Sequence, residues 1–221
     1  LALLVSLFLF SSCKEEPVTP EAPTLAFVNQ SQAFSVTGNL SSSSNPNALI
    51  TSSYVNALQG VFVGYSGFFL VPDNAVTGLD NSWSWSNGLN TITYKWSEQN
   101  GQNCVKVSFA GVDVTDGVVY EVCENKDGSG GWMKIFDPEN NGALTTELIW
   151  TNTGENSGTM DFKDYDNDGR QLVTWNADGS GNLKVYEGTQ LTYDSTWNTD
   201  GSGSYKEYDA QGNLLDQGSW S

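Results

Sequence analysis

Thr174–Glu187, TWNADGSGNLKVYE, returns 22 residues later as Thr196–Asp209, TWNTDGSGSYKEYD. Internal repetition outweighs any single propensity as a fold signal. Each copy reads as an aromatic-bearing strand, a tight turn at Asp178-Gly179 or Asp200-Gly201, and a second strand alternating with period 2. That is the pattern of a β-hairpin. A looser copy stands upstream at Asn125–Asp137 (NKDGSGGWMKIFD), and a more degenerate one at Asn156–Asp166 (NSGTMDFKDYD).

Outward from this repeat, turn signals recur from Trp83 onward, among them Asn87-Gly88, Asn100-Gly101, Asn141-Gly142, Asp168-Gly169 and Gln211-Gly212. They divide the segment into about twelve strands, with connections too short for a crossover helix, so neighbours must be antiparallel. Stretches such as TITYKW at 91–96 alternate polar with large apolar groups, as a sheet with one wet and one packed face requires. The expected fold is all-β with one N-terminal helix: an antiparallel up-and-down meander of about 10–12 strands. At that length it is expected to curl into a closed or nearly closed barrel, lipocalin-like in general shape.

The helix is expected between Pro46 and Val71, with Asn45 as N-cap, Pro46 at the first position and a stop at Pro72. Leu58, Phe62, Tyr65 and Phe69 share one face. Ser53, Ala57, Gly60, Gly64 and Gly67 form a small-residue stripe that would let a sheet approach closely. Two strands broken between Gly64 and Gly67 are the competing reading, since three glycines lower helix propensity.

The chain opens on LALLVSLFLF, an apolar run too short to span a bilayer, followed by Ser11, Ser12 and Cys13. This reads as a signal peptide over residues 1–12, truncated at its start. Small residues before Cys13 resemble a lipobox, with Phe10 where Leu is usual, and imply that Cys13 becomes the lipidated first residue. Lys14-Glu15-Glu16 resembles the Lys-plus-two-acids export tag of Bacteroidetes-type surface lipoproteins. Residues 13–45, with Pro17, Pro20, Pro23 and SSSSNPN, then read as a flexible tether. Residues 46–80 read as helix and connection, and 81–221 as the meander, one domain with 46–80. YKEYDAQGNL at 205–214 is similar to a YD-type or MORN-like repeat. The whole layout resembles the Trp- and Gly-rich lipoproteins of flavobacterial type. That resemblance implies an outer-membrane, outward-facing address and β-architecture, and no activity.

Composition narrows the function classes. The 221 residues include eight Trp, 26 acids against nine bases, and no His, for a net charge of −17. Nucleic-acid binding would need a basic stripe, and the sequence has none. Without His, Ser-His-Asp and Cys-His chemistry and His-ligated zinc fall away. The expectation is a protein that is not an enzyme. Carboxylate pairs of the glycosidase kind are too numerous to select.

Cys104 and Cys123 lie on consecutive strands. If Gly111 pairs with Asp116, the two Cys stand directly opposite each other, and export favours a disulfide. The repeated turns also match part of an EF-hand-like calcium loop: Asn176, Asp178, Ser180 and Glu187 in one copy, Asn198, Asp200, Ser202 and Asp209 in the next. Position 1 is Asn in both copies and the flanks are strand-like. Asp-Gly turns are also what hairpins demand for backbone reasons.

Two function classes follow. The first is a lipid-anchored binding module for a small or sugar-like ligand, stacked on Trp, with no cofactor. The second is a structural or adhesive surface protein, stiffened by calcium at the DGSG turns. The membrane is the expected partner through the Cys13 lipid. Radiolabelled palmitate should enter the wild-type chain and be absent from Cys13→Ala; label retained in the variant would overturn lipidation.

Overall fold

The computed structural model describes Leu25, Leu40 and residues 43–112 and 114–221. Cys13, the leader and most of the tether lie outside the described residues. The helix, α1, spans Pro46–Ser66 and ends in a single 3-10 turn, Gly67–Phe69, ahead of Pro72. Its start is fixed by Asn45, whose side-chain oxygen accepts from the backbone N–H groups of Asn47 and Ala48. Such a cap is worth about 1 kcal/mol.

Thirteen strands follow in strict chain order, every neighbouring pair antiparallel. β1 is Val76–Thr77, β2 Ser82–Asn87, β3 Asn90–Gln99, β4 Gln102–Gly111, β5 Gly117–Asn125, β6 Gly130–Asp137 and β7 Ala143–Gly154. β8 is Ser157–Asp164, β9 Gly169–Trp175, β10 Gly181–Glu187, β11 Gln190–Trp197, β12 Gly203–Tyr208 and β13 Leu214–Trp220. The twelve strands from Trp83 onward match the turn signals. The extra one, β1, is a two-residue pairing with Trp83 and Ser84 that lies in the expected connection. No ladder joins β1 to β13 among the described residues, so the hydrogen-bonded closure expected of a barrel is not formed between them.

One face of the sheet carries the core. Tyr94, Val107 and Tyr120 lie in register, as do Val105, Val122, Met133 and Leu148, and all are buried. Helix α1 covers this inner face and runs across the strands. Its first half meets β11 through Thr51, and its C-terminal end meets β5 through Tyr65 and Phe69 against Tyr120. A 21-residue helix is about 31 Å long, and six inter-strand steps span about 29 Å, so the one can bridge the other. Leu25 and Leu40 are also fully buried in this cluster.

The small-residue stripe does not do what the sequence suggested. Ser53, Ala57, Gly60, Gly64 and Gly67 are exposed, and a Cβ added at any of the three glycines would meet open space. The inner face of α1 is Ala48, Thr51, Ser52, Val55 and Leu58 instead. Thr51 takes that position because its hydroxyl is satisfied there, 2.9 Å from Tyr193 Oη and 3.1 Å from Ser195 Oγ. Buried hydroxyls need such partners, whereas a glycine stripe supplies no side chain to bury.

Close approach by glycine occurs inside the sheet. Trp175, Trp197 and Trp220 on odd-numbered strands alternate across one inner row with Gly158, Gly181 and Gly203 on even-numbered ones. A Cβ at Gly181 would collide with the Trp197 ring and the Thr174 carbonyl, and one at Gly203 with the Trp220 ring and the Thr196 carbonyl. Each indole therefore lies flat over a glycine of the preceding strand.

Two glycine substitutions should move stability in opposite directions. Gly181→Ala overpacks the Trp197 contact and should cost about 1–3 kcal/mol. Gly60→Ala, in open helix surface, should stabilise by about 0.5–1 kcal/mol. Denaturant midpoints of the two variants should straddle the wild type; equal shifts would refute the assigned facings.

Candidate functional sites

The repeated turn is built identically in its copies. Gly179 N–H donates to Asn176 O and Asn176 N–H to Ser180 O; Gly201, Asn198 and Ser202 repeat both bonds. Asp178 Oδ1 accepts from Ser180 N at 3.0 Å and Ser180 Oγ at 2.7 Å, and Asp200 does the same with Ser202. Asn176 and Asn198 each donate a side-chain amide to the following Ser hydroxyl at 2.9 Å. Trp197 Nε1 donates to Gly179 O at 2.9 Å and Trp220 Nε1 to Gly201 O at 2.7 Å, pinning each turn from the next strand. In the upstream copy Asn152 Nδ2 does this for Gly128 O, at 2.7 Å.

Of the candidate calcium ligands, the structure gathers Asn176 with Asp178 and Ser180, and Asn198 with Asp200 and Ser202. It does not bring in the twelfth-position carboxylates. Glu187 ends β10 at the far end of the strand from Asp178, roughly 20 Å away at about 3.3 Å per residue. Asp209 caps the β12–β13 turn, accepting from Gln211 and Asn213. The loop of an EF-hand folds back on its ion, whereas here the chain leaves the turn as a strand. Among the described residues no group of three or more His, Cys, Asp or Glu is placed to hold a metal ion.

Cys104 and Cys123 pair across β4 and β5 in the expected register, with sulfurs 2.10 Å apart. Both are buried on the outer face, where Trp132 is the next residue in the row. That face otherwise carries a cross-strand ladder of opposite charges: Lys106–Glu121 at 3.0 Å, Lys163–Glu147 at 2.8 Å, Lys184–Asp194 at 3.2 Å and a two-bond Arg170–Asp161 pair. Such half-exposed pairs contribute about 0.2–1 kcal/mol each.

The inner face carries a file of aromatic rings. Tyr54, Tyr193, Tyr205 and Trp220 follow one another at ring separations of 6.1–6.5 Å. Burial pushes the phenols of Tyr94 and Tyr193 above their ordinary range, so both stay neutral.

Two openings lie elsewhere. A shallow one of about 550 Å³ runs along the exposed side of α1, past Leu49, Ile50, Ser53, Tyr54 and Ala57. The other, about 590 Å³, lies between the β4–β5 and β6–β7 loops. Its walls include the polar Lys106, Glu121, Asp116, Thr115 and Asn141 and the apolar Val118, Phe136 and Pro138. β-bulges interrupt both bordering hairpins, at Val107/Ser108 and at Ile135/Phe136. The first brings Val118 opposite Ser108 on the outer face, where Phe136 already points by ordinary alternation with Ile135.

The turn acids have a titration signature. The hydroxyls of Ser129, Ser180 and Ser202 and the amide of Asn213, followed by backbone N–H groups, hold Asp127, Asp178, Asp200 and Asp209 below the usual carboxylate range. Depressed folded-state values mean that their contribution is complete above the unfolded pKa of about 4 and is lost as pH falls through the lower folded values. The urea midpoint should therefore drop below about pH 4. Asp178→Asn with Asp200→Asn keeps an oxygen acceptor and should flatten that drop; superimposable acid limbs would refute the linkage.

No protein-family model matches the chain, and no curated protein is significantly similar to it.

Proposed function

We propose that the chain is the outward-facing, non-enzymatic binding module of an outer-membrane lipoprotein, tethered through a lipid on Cys13. Its sheet curls around α1 as a barrel-like trough, lipocalin-like in general outline. The curl is supported by a helix that meets both β5 and β11, and by five bulged ladders, because bulges increase local twist.

The observation that carries the binding reading is the contrast between the two faces. The inner one is occupied by α1 and stacked aromatics, whereas the outer one opens into a groove with convergent polar groups. Ligand pockets combine such groups with an apolar wall. The address rests on the apolar leader, Ser11-Ser12-Cys13 and the acidic tag that follows. No helix among the described residues is long and apolar enough to cross a membrane, and a lipid anchor requires none.

The aromatic packing of the inner face also favours a second reading, a structural or adhesive surface protein stiffened by calcium at the DGSG turns. Thermal unfolding with glycans, apolar ligands or calcium separates the two. A true ligand at a hundredfold excess over its Kd should raise the midpoint by about 5–10 °C. We expect an organic ligand to do so and calcium not to. A shift with calcium alone, or with nothing, would transfer the assignment to the structural role.

A further inference from the structure

We propose that the groove between the β4–β5 and β6–β7 loops is a binding site for a neutral saccharide of one or two rings. This rests on reading the chain as a binding module and adds the place and the ligand class. The volume, about 590 Å³, falls within the range of about 300–1,000 Å³ typical of small-molecule sites.

The lining of the groove selects the chemistry. Phe136, Pro138 and Val118 present an apolar surface; Phe136 reaches it by plain alternation with Ile135, and Val118 because the extra residue Val119 in β5 sets it opposite Ser108 on the outer face. The same groove is lined by a donor-only ammonium, Lys106, acceptor-only carboxylates, Glu121 and Asp116, and groups that do both, Thr115 and Asn141. A pyranose has the same mixed character. Its C–H face packs on an aromatic ring, and each hydroxyl both donates and accepts.

Other ligand classes fit less well. One ammonium against two carboxylates, on a chain of net charge −17, repels an anion. Lys106 sits 3.0 Å from Glu121, so a ligand cation would compete with a charge already in place. A wholly apolar ligand would bury that ion pair without hydrogen-bonding it, which is costly. A neutral polyol satisfies the pair and leaves it intact.

The walls are also held in advance. Asp116 Oδ1 accepts from Gly111 N at 3.2 Å, closing one loop. Asp137 caps the 3-10 turn Pro138–Asn140 through Glu139 N, and Gly142 N donates to Asp137 O, closing the other. The loops touch where Gly117 meets Pro138; a Cβ on Gly117 would sit 3.1 Å from Pro138 Cβ. Such pre-organisation lowers the ordering cost of binding.

The test is saturation-transfer NMR and calorimetry on the purified chain with glucose, cellobiose, maltose, lactose and diacetylchitobiose, with galacturonate as an anionic control. At least one neutral sugar should bind at millimolar concentration or below. Phe136→Ala and Asn141→Gly should each weaken it by about fivefold or more. Asn141 has a left-handed backbone, φ 56°, which glycine adopts freely, so N141G removes the amide without straining the fold. Sugar binding untouched by both variants would overturn the groove assignment and leave the binding-module reading standing. Preference for galacturonate, or no sugar binding while another organic class raises the unfolding midpoint, would overturn the ligand class alone. Silence from every ligand would remove both.

Discussion

The fold depends on tryptophan laid over glycine. In an isolated hairpin an Asp-Gly turn sets the direction of the next strand and little else. Here Trp197 covers Gly181 and bonds the carbonyl of Gly179, and Trp220 covers Gly203 and bonds that of Gly201. Each turn is therefore locked by a residue that arrives only with the following strand. The interaction is local in sequence, 16 to 19 residues apart, yet it joins three successive strands. A long meander with no crossover helix gains from such a device, because it fixes one hairpin to the next in addition to the ladder itself.

The turns bear on the acidity as well. Backbone N–H groups at each turn point away from the ladder and need acceptors, and Asp supplies one at short range. Asp127, Asp137, Asp164, Asp178, Asp200 and Asp209 all accept from an N–H two residues on. The cations are concentrated on the outer face, opposite carboxylates of adjacent strands. Turn chemistry repeated six times thus contributes to the negative charge. It also keeps the loop-bearing ends of the sheet hydrated and mutually repulsive.

Much of this was legible in the sequence, for identifiable reasons. The cap at Asn45, the stop before Pro72, the order of strands from Trp83 onward and the register of Cys104 against Cys123 all follow from local rules that tertiary packing did not override. The apolar face of α1 was legible in Leu58, Tyr65 and Phe69, which pack inward, but the role of the small-residue stripe was not. Gly60, Gly64 and Gly67 form a clean stripe, but Thr51 found buried hydroxyl partners on β11, Tyr193 and Ser195, and nothing in the helix announces residues so far along the chain. The twelfth positions of the calcium pattern were not placed by spacing for a related reason: twelve residues mean convergence in a loop and separation in a strand, and Glu187 ends β10. The role of tryptophan was present in the repeat, as Gly181 with Trp197 and Gly203 with Trp220, but reading it requires knowing that both face inward. The groove has no linear signal, because its walls come from two hairpins joined only through register.

The same register logic explains why the groove lies where it does. A strand that keeps plain alternation shares its residues between the two faces, and β6 does so, giving Ile135 to the core and Phe136 to the outer face. Its neighbours do not: the extra residue Val119 in β5 sets Val118 opposite Ser108 on the outer face, and the extra residue Thr145 in β7 sets Leu144 opposite Phe136. Two departures from a pattern kept elsewhere thus coincide around one opening, where side chains of opposite charge and an amide already face each other. A sheet stabilised by repetition acquires a distinctive surface only where the repetition is interrupted, and these hairpins combine two such interruptions with a lining both apolar and polar.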